Sequence, residues 1–194
     1  MIFGAGIQAR SQLQAVCAVR NIRRAYVFGR TPENTATFAQ EMSESLRIPV
    51  SPVRGFEVLR EADIICTATS ATEPLFSHAD VPAGVHINAI GSYQPDVREI
   101  PGETVLAAKV VVDQRAACLS EAGDLLIPLN AGHLDENHIY AEIGEIAAGQ
   151  KPGRQQGDEI TLFKSVGNAV QDLAAAGEIL KNAGKLGLGT ELYL

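Results

Sequence analysis

Short, continuously apolar runs alternate along this chain with longer stretches whose apolar residues return every three or four positions. The short runs are Met1–Phe3, Ala25–Phe28, Val50–Val53, Asp63–Thr67, Val85–Ile90 and Lys109–Asp113. Runs of this length, apolar without alternation, predict parallel strands covered on both faces. Between the first two, Gln8–Arg20 carries Ala9, Leu13, Val16 and Cys17 on one face of a helix. Thr31-Pro32-Glu33 predicts a helix start, with Thr31 as N-cap and Pro32 at the first position, and that helix extends to Leu46. Gly55–Glu61 predicts a shorter one. Strand and helix in alternation, with apolar strands, imply an α/β fold: a doubly wound parallel sheet.

The end of the chain reads differently. Gly149–Arg154 is a turn-rich linker, and a long helix is expected from Ile160 to Lys181. Its stripe of Leu162, Val166, Ala169, Leu173, Ala176 and Leu180, flanked by Phe163, Val170 and Ile179, is wider than a surface helix needs. Such a face requires cover, from a segment preceding Met1 or from a second subunit. The tail 187–194 is expected to add a final strand. The organisation expected is a dinucleotide-binding domain over residues 1–153, then a helix and tail over 154–194.

Chemistry enters at Gly4-Ala5-Gly6-Ile7-Gln8-Ala9, a Gly-x-Gly-x-x-Ala turn between a strand and a helix. In a Rossmann unit Gly4 permits the tight turn, Gly6 lets the backbone approach a pyrophosphate, and Ala9 keeps the helix close to the sheet. The helix start adds free N–H groups and positive potential for the anion. A first strand of about five residues is usual. Met1–Phe3 is shorter, so the chain is expected to lack the start of that strand and what precedes it. At the end of the second strand, Phe28-Gly29-Arg30-Thr31-Pro32 has no carboxylate to accept from ribose hydroxyls. Arg30 suits a 2′-phosphate instead, with Thr31 and Asn34 as further donors. NADP(H) is therefore the expected cofactor, with NAD(H) as the lesser possibility. Thr67-Ala68-Thr69-Ser70-Ala71 and Gly91-Ser92-Tyr93-Gln94-Pro95 follow the fourth and fifth strands, at the carboxyl ends where open α/β sheets bind ligands.

Composition removes several alternatives. A formal charge of −7 argues against nucleic acid or an anionic membrane as partner. No apolar run reaches the roughly 18 residues of a membrane span. Cys17, Cys66 and Cys118 lie far apart in apolar stretches, as buried reduced thiols of a cytoplasmic protein would. His78, His86, His133 and His138 show no metal-ligand spacing, so no metal is expected. Glu142 and Glu145 read as a solvated pair, and no Gly-x-Ser-x-Gly elbow is present.

Taken together, these motifs resemble the ornithine cyclodeaminase/mu-crystallin family. The resemblance rests on Gly4–Ala9, Gly29-Arg30-Thr31, Ile87-Asn88-Ala89-Ile90-Gly91-Ser92, Pro95 with Glu99, and Ile160-Thr-Leu-Phe-Lys-Ser-Val-Gly167 followed by Asp172. It covers essentially the whole chain, but only the later part of a family member. It implies an N-terminal substrate and dimerisation domain that this chain lacks, with the C-terminal helix returning to it, and a homodimer. It assigns Ile7 and Gln8 to the pyrophosphate and Gly29–Thr31 to the adenosine ribose. Thr67, Thr69 and Ile87 to Ile90 fall near the cofactor, Ser165 near the nicotinamide, and Val166 beside the substrate. Cyclodeaminases carry a catalytic Asp two residues after the glycine of the fifth-strand turn. Here Tyr93 stands there, and the Lys usual four residues further on is Val97.

A cyclodeaminase needs a carboxylate at that position to work on the amine and activate water. Tyrosine, with an ordinary pKa of about 10, is a poor base near neutrality. An imine reductase needs less, because the cofactor delivers hydride to a C=N bond already formed. The expected activity is thus NADP(H)-dependent reduction of a cyclic imino acid of the pyrroline- or piperideine-2-carboxylate type. An NAD-dependent ornithine cyclodeaminase and a non-catalytic cofactor-binding fragment are the alternatives. No catalytic residue is assigned.

Overall fold

The computed structural model describes residues 1–190 and residue 192. Eight strands form one sheet: β1 (Ile2–Phe3), β2 (Ala25–Phe28), β3 (Val50–Pro52), β4 (Ile64–Thr67), β5 (His86–Ala89), β6 (Lys109–Val112), β7 (Ile139–Glu142) and β8 (Thr161–Lys164). Their spatial order is β3-β2-β1-β4-β5-β8-β6-β7, and every pairing is parallel. The chain builds outward through β2 and β3 on one side of β1, then returns to build through β4 and β5 on the other. The order therefore reverses between β1 and β4, which opens a crevice at their carboxyl ends. This is the doubly wound, Rossmann-like sheet that the apolar runs imply.

Alternation along each strand sends neighbouring side chains to opposite faces. Ile2, Val27 and Cys66 pack on one face against Leu13 of α1 (Ile7–Val19) and Phe38 and Met42 of α2 (Pro32–Leu46). Phe3, Ile65, Ile87 and Leu162 pack on the other, against Leu59, Ile100, Val105 and Leu125. Burial of each large side chain contributes roughly 1.5–3 kcal/mol. Phe3, Phe28, Phe56 and Phe76 meet at centroid separations of 4.9–5.9 Å just below the crevice.

Several expectations are corrected. Residues 160–181 are not one helix. Thr161–Lys164 is an inner strand, with Leu162 paired to Ile87 on one side and Val110 on the other. Without it, β5 and β6 would each leave an inner edge of unpaired backbone groups. Helix α7 begins only at Ala169 and ends at Leu186, capped by Asn168, whose side chain accepts from the N–H of Val170. Leu162 and Val166 therefore fall outside the apolar stripe; the spacing that linked them to it was fortuitous. None of the residues of α7 is buried, and Val170, Leu173, Ile179 and Leu180 are exposed. The tail shows no strand over 187–190 or at 192, and residues 191, 193 and 194 lie outside the described residues.

Smaller differences follow the same logic. Strand β7 and helices α3 (Gly102–Ala107), α4 (Arg115–Glu121), α5 (Gly123–Asn130) and α6 (Ile143–Ala147) fill a region with no clear sequence period. The short helix expected from Gly55 is a 3-10 turn over Glu57–Glu61. Thr31 sits at the N-cap of α2 but makes no side-chain cap bond. The hydroxyl of Thr35 donates to its carbonyl instead. Finally, β5 is covered on one face only. His86 and Asn88 point into a half-open groove of about 630 Å³ that Thr161, Phe163 and Lys109 also line. There His86 meets Thr161 at 2.8 Å and Asn88 at 3.2 Å. Burial pushes the His86 imidazole below its ordinary value, against the Asn88 contact and with help from Arg154 and Arg20.

Candidate cofactor site

The crevice is built from the turn that leaves β1. Gly4 holds φ at +106°, and a Cβ there would stand 2.3 Å from the carbonyl oxygen of Ala68 at the end of β4. Both facts demand glycine. Gly6 is under a different constraint. Its φ is −93°, open to any residue, and a Cβ there would meet no protein atom within 4 Å. Its missing side chain clears space in front of α1. That helix has no side-chain cap and no acidic residue in its first turn. The N–H groups of its first turn and its positive end are thus available to an anion.

A cleft of about 530 Å³ runs from this turn over the ends of β2 and β4, lined by Gly4, Gly6, Gly29, Thr31, Asn34 and Thr69. Arg30 lines it too, and also borders a neighbouring hollow of about 610 Å³ that reaches Arg54. Arg30, Thr31 and Asn34 are exposed, and Arg30 forms no ion pair among the described residues. Thr67 closes β4 with a hydroxyl that is wholly buried and has no hydrogen-bond partner. An open helix end and a glycine whose side-chain space is empty are what a dinucleotide would use. The residues present fit one.

Behind the cleft lies a set of buried charges. Glu99 is fully buried, and its carboxylate accepts from the N–H and hydroxyl of Thr69 at 2.7 and 2.6 Å and from the N–H of Gly91 at 2.9 Å. It ties the loop after β4 to the loop after β5. Asp124 accepts from the N–H groups of Glu99 and Ile100 through one oxygen and pairs with Lys164 through the other at 2.9 Å. Both members of that pair are fully buried. Lys164 also donates to the carbonyl of Ser92. A second tie stands at the end of β6. Asp113 accepts from the hydroxyl of Ser165 at 2.7 Å and from the N–H groups of Val166 and Gly167 at 3.0 and 2.9 Å. Burial raises the Asp113 carboxyl, but donation from Ser165, Cys118 and the backbone outweighs it and leaves it below its ordinary value. Burial, then the contact with Asp113, pushes the Cys118 thiol up to about 12, so this thiol is inert near neutrality.

The expected site residues do not all converge on the cleft. Gly4, Gly6, Gly29, Arg30, Thr31, Asn34 and Thr69 do. Ile7 and Gln8 lie exposed at the start of α1, while Ala9 is buried beneath it against the sheet. Ala89 and Ile90 contribute backbone only, Ala89 accepting from the N–H of Ser165 and Ile90 donating to Thr67. Ile87 is core, and Asn88 turns to the opposite groove, where its amide reaches Cys66 at 3.6 Å. The Ser165 hydroxyl is spent on Asp113, Val166 is half-buried, and Tyr93 is 61% exposed on the loop after β5. Sequence reading missed the roles of Lys164, Asp124 and Asp113. A Lys placed two residues after Leu162 on an inner strand is a signal, but reading that segment as a helix sends it to the surface.

The family model for the ornithine cyclodeaminase/mu-crystallin family matches residues 1–185. A Delta(1)-pyrroline-2-carboxylate reductase of Bacillus cereus is 42% identical over 193 residues, 98% of this chain and 59% of that protein. The ketimine reductase mu-crystallin of Mus musculus is 39% identical over 175 residues, 90% of this chain and 52% of the other. Among solved structures, the Thermococcus litoralis Delta(1)-pyrroline-2-carboxylate reductase in complex with NADH and L-proline superposes with a TM-score of 0.93. It is 45% identical, over 98% of this chain and 59% of its own. An archaeal alanine dehydrogenase dimer with bound NAD gives 0.89 at 30% identity, over 100% of this chain and 59% of its own. The chain thus spans under two thirds of the length of these relatives.

Proposed function

The chain belongs to the ornithine cyclodeaminase/mu-crystallin family, and from that premise we propose that it is the cofactor-binding part of an NADP(H)-dependent reductase of cyclic imino acids. The cleft at the β1/β4 reversal is read as the dinucleotide site. When bound, the nicotinamide supplies hydride to a C=N bond. The chain's own contribution is to hold the pyrophosphate on the N-terminus of α1 and to fix the loops after β4, β5 and β8 around the ring end. Preference for NADP(H) over NAD(H) is read from Arg30, exposed at the end of β2 without an ion pair among the described residues, in a segment Phe28–Pro32 that holds no carboxylate, Glu33 bordering the neighbouring hollow.

Tyr93 is the observation that favours reductase over cyclodeaminase. At the position where cyclodeaminases carry a catalytic Asp, this chain presents an exposed phenol, which cannot serve as the carboxylate base of ammonia elimination. The substrate proposed is a pyrroline- or piperideine-2-carboxylate, by analogy with the two reductase relatives. Cys17, Cys66 and Cys118 are unpaired thiols, in keeping with a cytoplasmic setting. No helix among the described residues is long and apolar enough to cross a membrane. The exposed apolar positions of α7 support the reading that this helix docks on a further domain or a dimer partner.

The test is a paired product assay on the chain joined behind the N-terminal part of the Bacillus cereus relative. Proline formed from pyrroline-2-carboxylate with matching NADPH consumption is the expected result. Ammonia released from ornithine without net cofactor turnover would replace this reading with the cyclodeaminase one.

A further inference from the structure

The charges behind the cleft do not cancel. Lys164 and Asp124 neutralise each other as a buried ion pair at 2.9 Å. Glu99, bonded through its backbone to the same Asp124, has no cation on its carboxylate among the described residues. Every contact to that carboxylate is a donor: two backbone N–H groups and the Thr69 hydroxyl. The oxygen of that hydroxyl also accepts from the N–H of Ala71 at 3.0 Å. The two backbone N–H groups, one on each carboxyl oxygen, can only donate, an arrangement suited to the charged form of the side chain. It is fully buried and bonded to Thr69 and Gly91, in the loops that follow β4 and β5. A lone charge set in such surroundings is screened far less than one at the surface.

We propose that Glu99 is a fixed negative charge set behind the nicotinamide end of the cleft, which favours the oxidised, cationic ring over the reduced, neutral one. This rests on the reading of the cleft as a nicotinamide dinucleotide site. Glu99 touches neither cofactor nor substrate; it is a positioning residue whose charge acts through the Thr69 and Gly91 backbone it holds. The oxidised ring carries one positive charge that the reduced ring lacks. With a nicotinamide bound, the charge on Glu99 would favour the form of the ring left after hydride transfer to an imine.

Glu99→Gln retains the shape and removes the charge. The readout is the dissociation constants of NADP+ and NADPH for the 194-residue chain, measured by calorimetry in the same buffer. The variant is expected to weaken NADP+ about tenfold more than NADPH, the scale of one unit charge acting across several ångströms of protein. Equal weakening of both forms, or of neither, would reduce Glu99 to a mechanical tie and overturn the proposal. Should Glu99→Gln fail to fold, the unaltered chain decides. It is expected to bind NADP+ at least as tightly as NADPH, and a tenfold preference for NADPH would overturn the proposal. Binding of neither form would overturn the cofactor reading and this proposal with it.

Discussion

Arg30 carries the cofactor preference on a single side chain. It is exposed and without an ion pair among the described residues, so a 2′-phosphate would gain a charge-assisted contact without first breaking another. Arg30→Ala is therefore expected to weaken NADPH by roughly tenfold, about 1.4 kcal/mol, while leaving NADH nearly unchanged. Competitive titration of the two cofactors checks this; equal losses would assign Arg30 to the adenine, and no loss for either would leave it to solvent. Lys164 shows the opposite case, a residue whose value is internal. With Asp124 fully buried opposite it, Lys164→Met leaves an uncompensated charge in the interior. A loss of about 3–5 kcal/mol in unfolding free energy is expected from denaturant titration, and a change below about 1 kcal/mol would mean the pair is not dry. These two residues also differ in legibility. Arg30 follows a strand that the apolar run Ala25–Phe28 makes plain, so its place at the crevice can be read from local pattern. The partners of Lys164 lie 40 and 72 positions away in sequence at Asp124 and Ser92, and no local pattern joins them.

At the scale of elements, β1 to β6 were legible, each as a short apolar run set off by turn or helix signals, the edge strand β3 included. β8 was hidden because Thr161–Lys164 takes its pairing from β5 and β6, strands far away in the chain. Its residues also continue, by accident, the three-and-four spacing of α7. The deciding signal was the Gly167-Asn168 break: Gly167 holds φ at +94° and Asn168 caps the helix that follows. β7 was invisible for another reason, since an edge strand of four alternating residues differs little from a polar loop. The glycine turn was legible in full, yet the separate tasks of its two glycines emerge only when Ala68 is seen beside Gly4.

For the molecule as a whole, the exposed face of α7 sets the first expectation. Val170, Leu173, Ile179 and Leu180 project from one end of the fold, and an uncovered apolar row of this kind promotes association. The 194-residue chain alone is expected to self-associate or to bind a hydrophobic dye strongly, as light scattering and dye fluorescence would show. A dilute monodisperse monomer without dye binding would mean that α7 folds back in solution. The same chain is expected to bind cofactor with little turnover, because it spans 59% of the reductases it resembles and orientation of substrate contributes several kcal/mol to such reactions.

The central claim is that the crevice between β1 and β4 holds the pyrophosphate of a nicotinamide dinucleotide against α1. Gly6 isolates it, because its backbone angle tolerates a side chain and the space a Cβ would occupy contains no protein atom. The most direct measurement is a calorimetric titration of NADPH into the unaltered chain and into Gly6→Ala, with thermal melts of both. The account predicts saturable binding by the unaltered chain, a loss of tenfold or more in the variant, and melting temperatures that agree within a few degrees. Undiminished binding by a well-folded Gly6→Ala chain would contradict it.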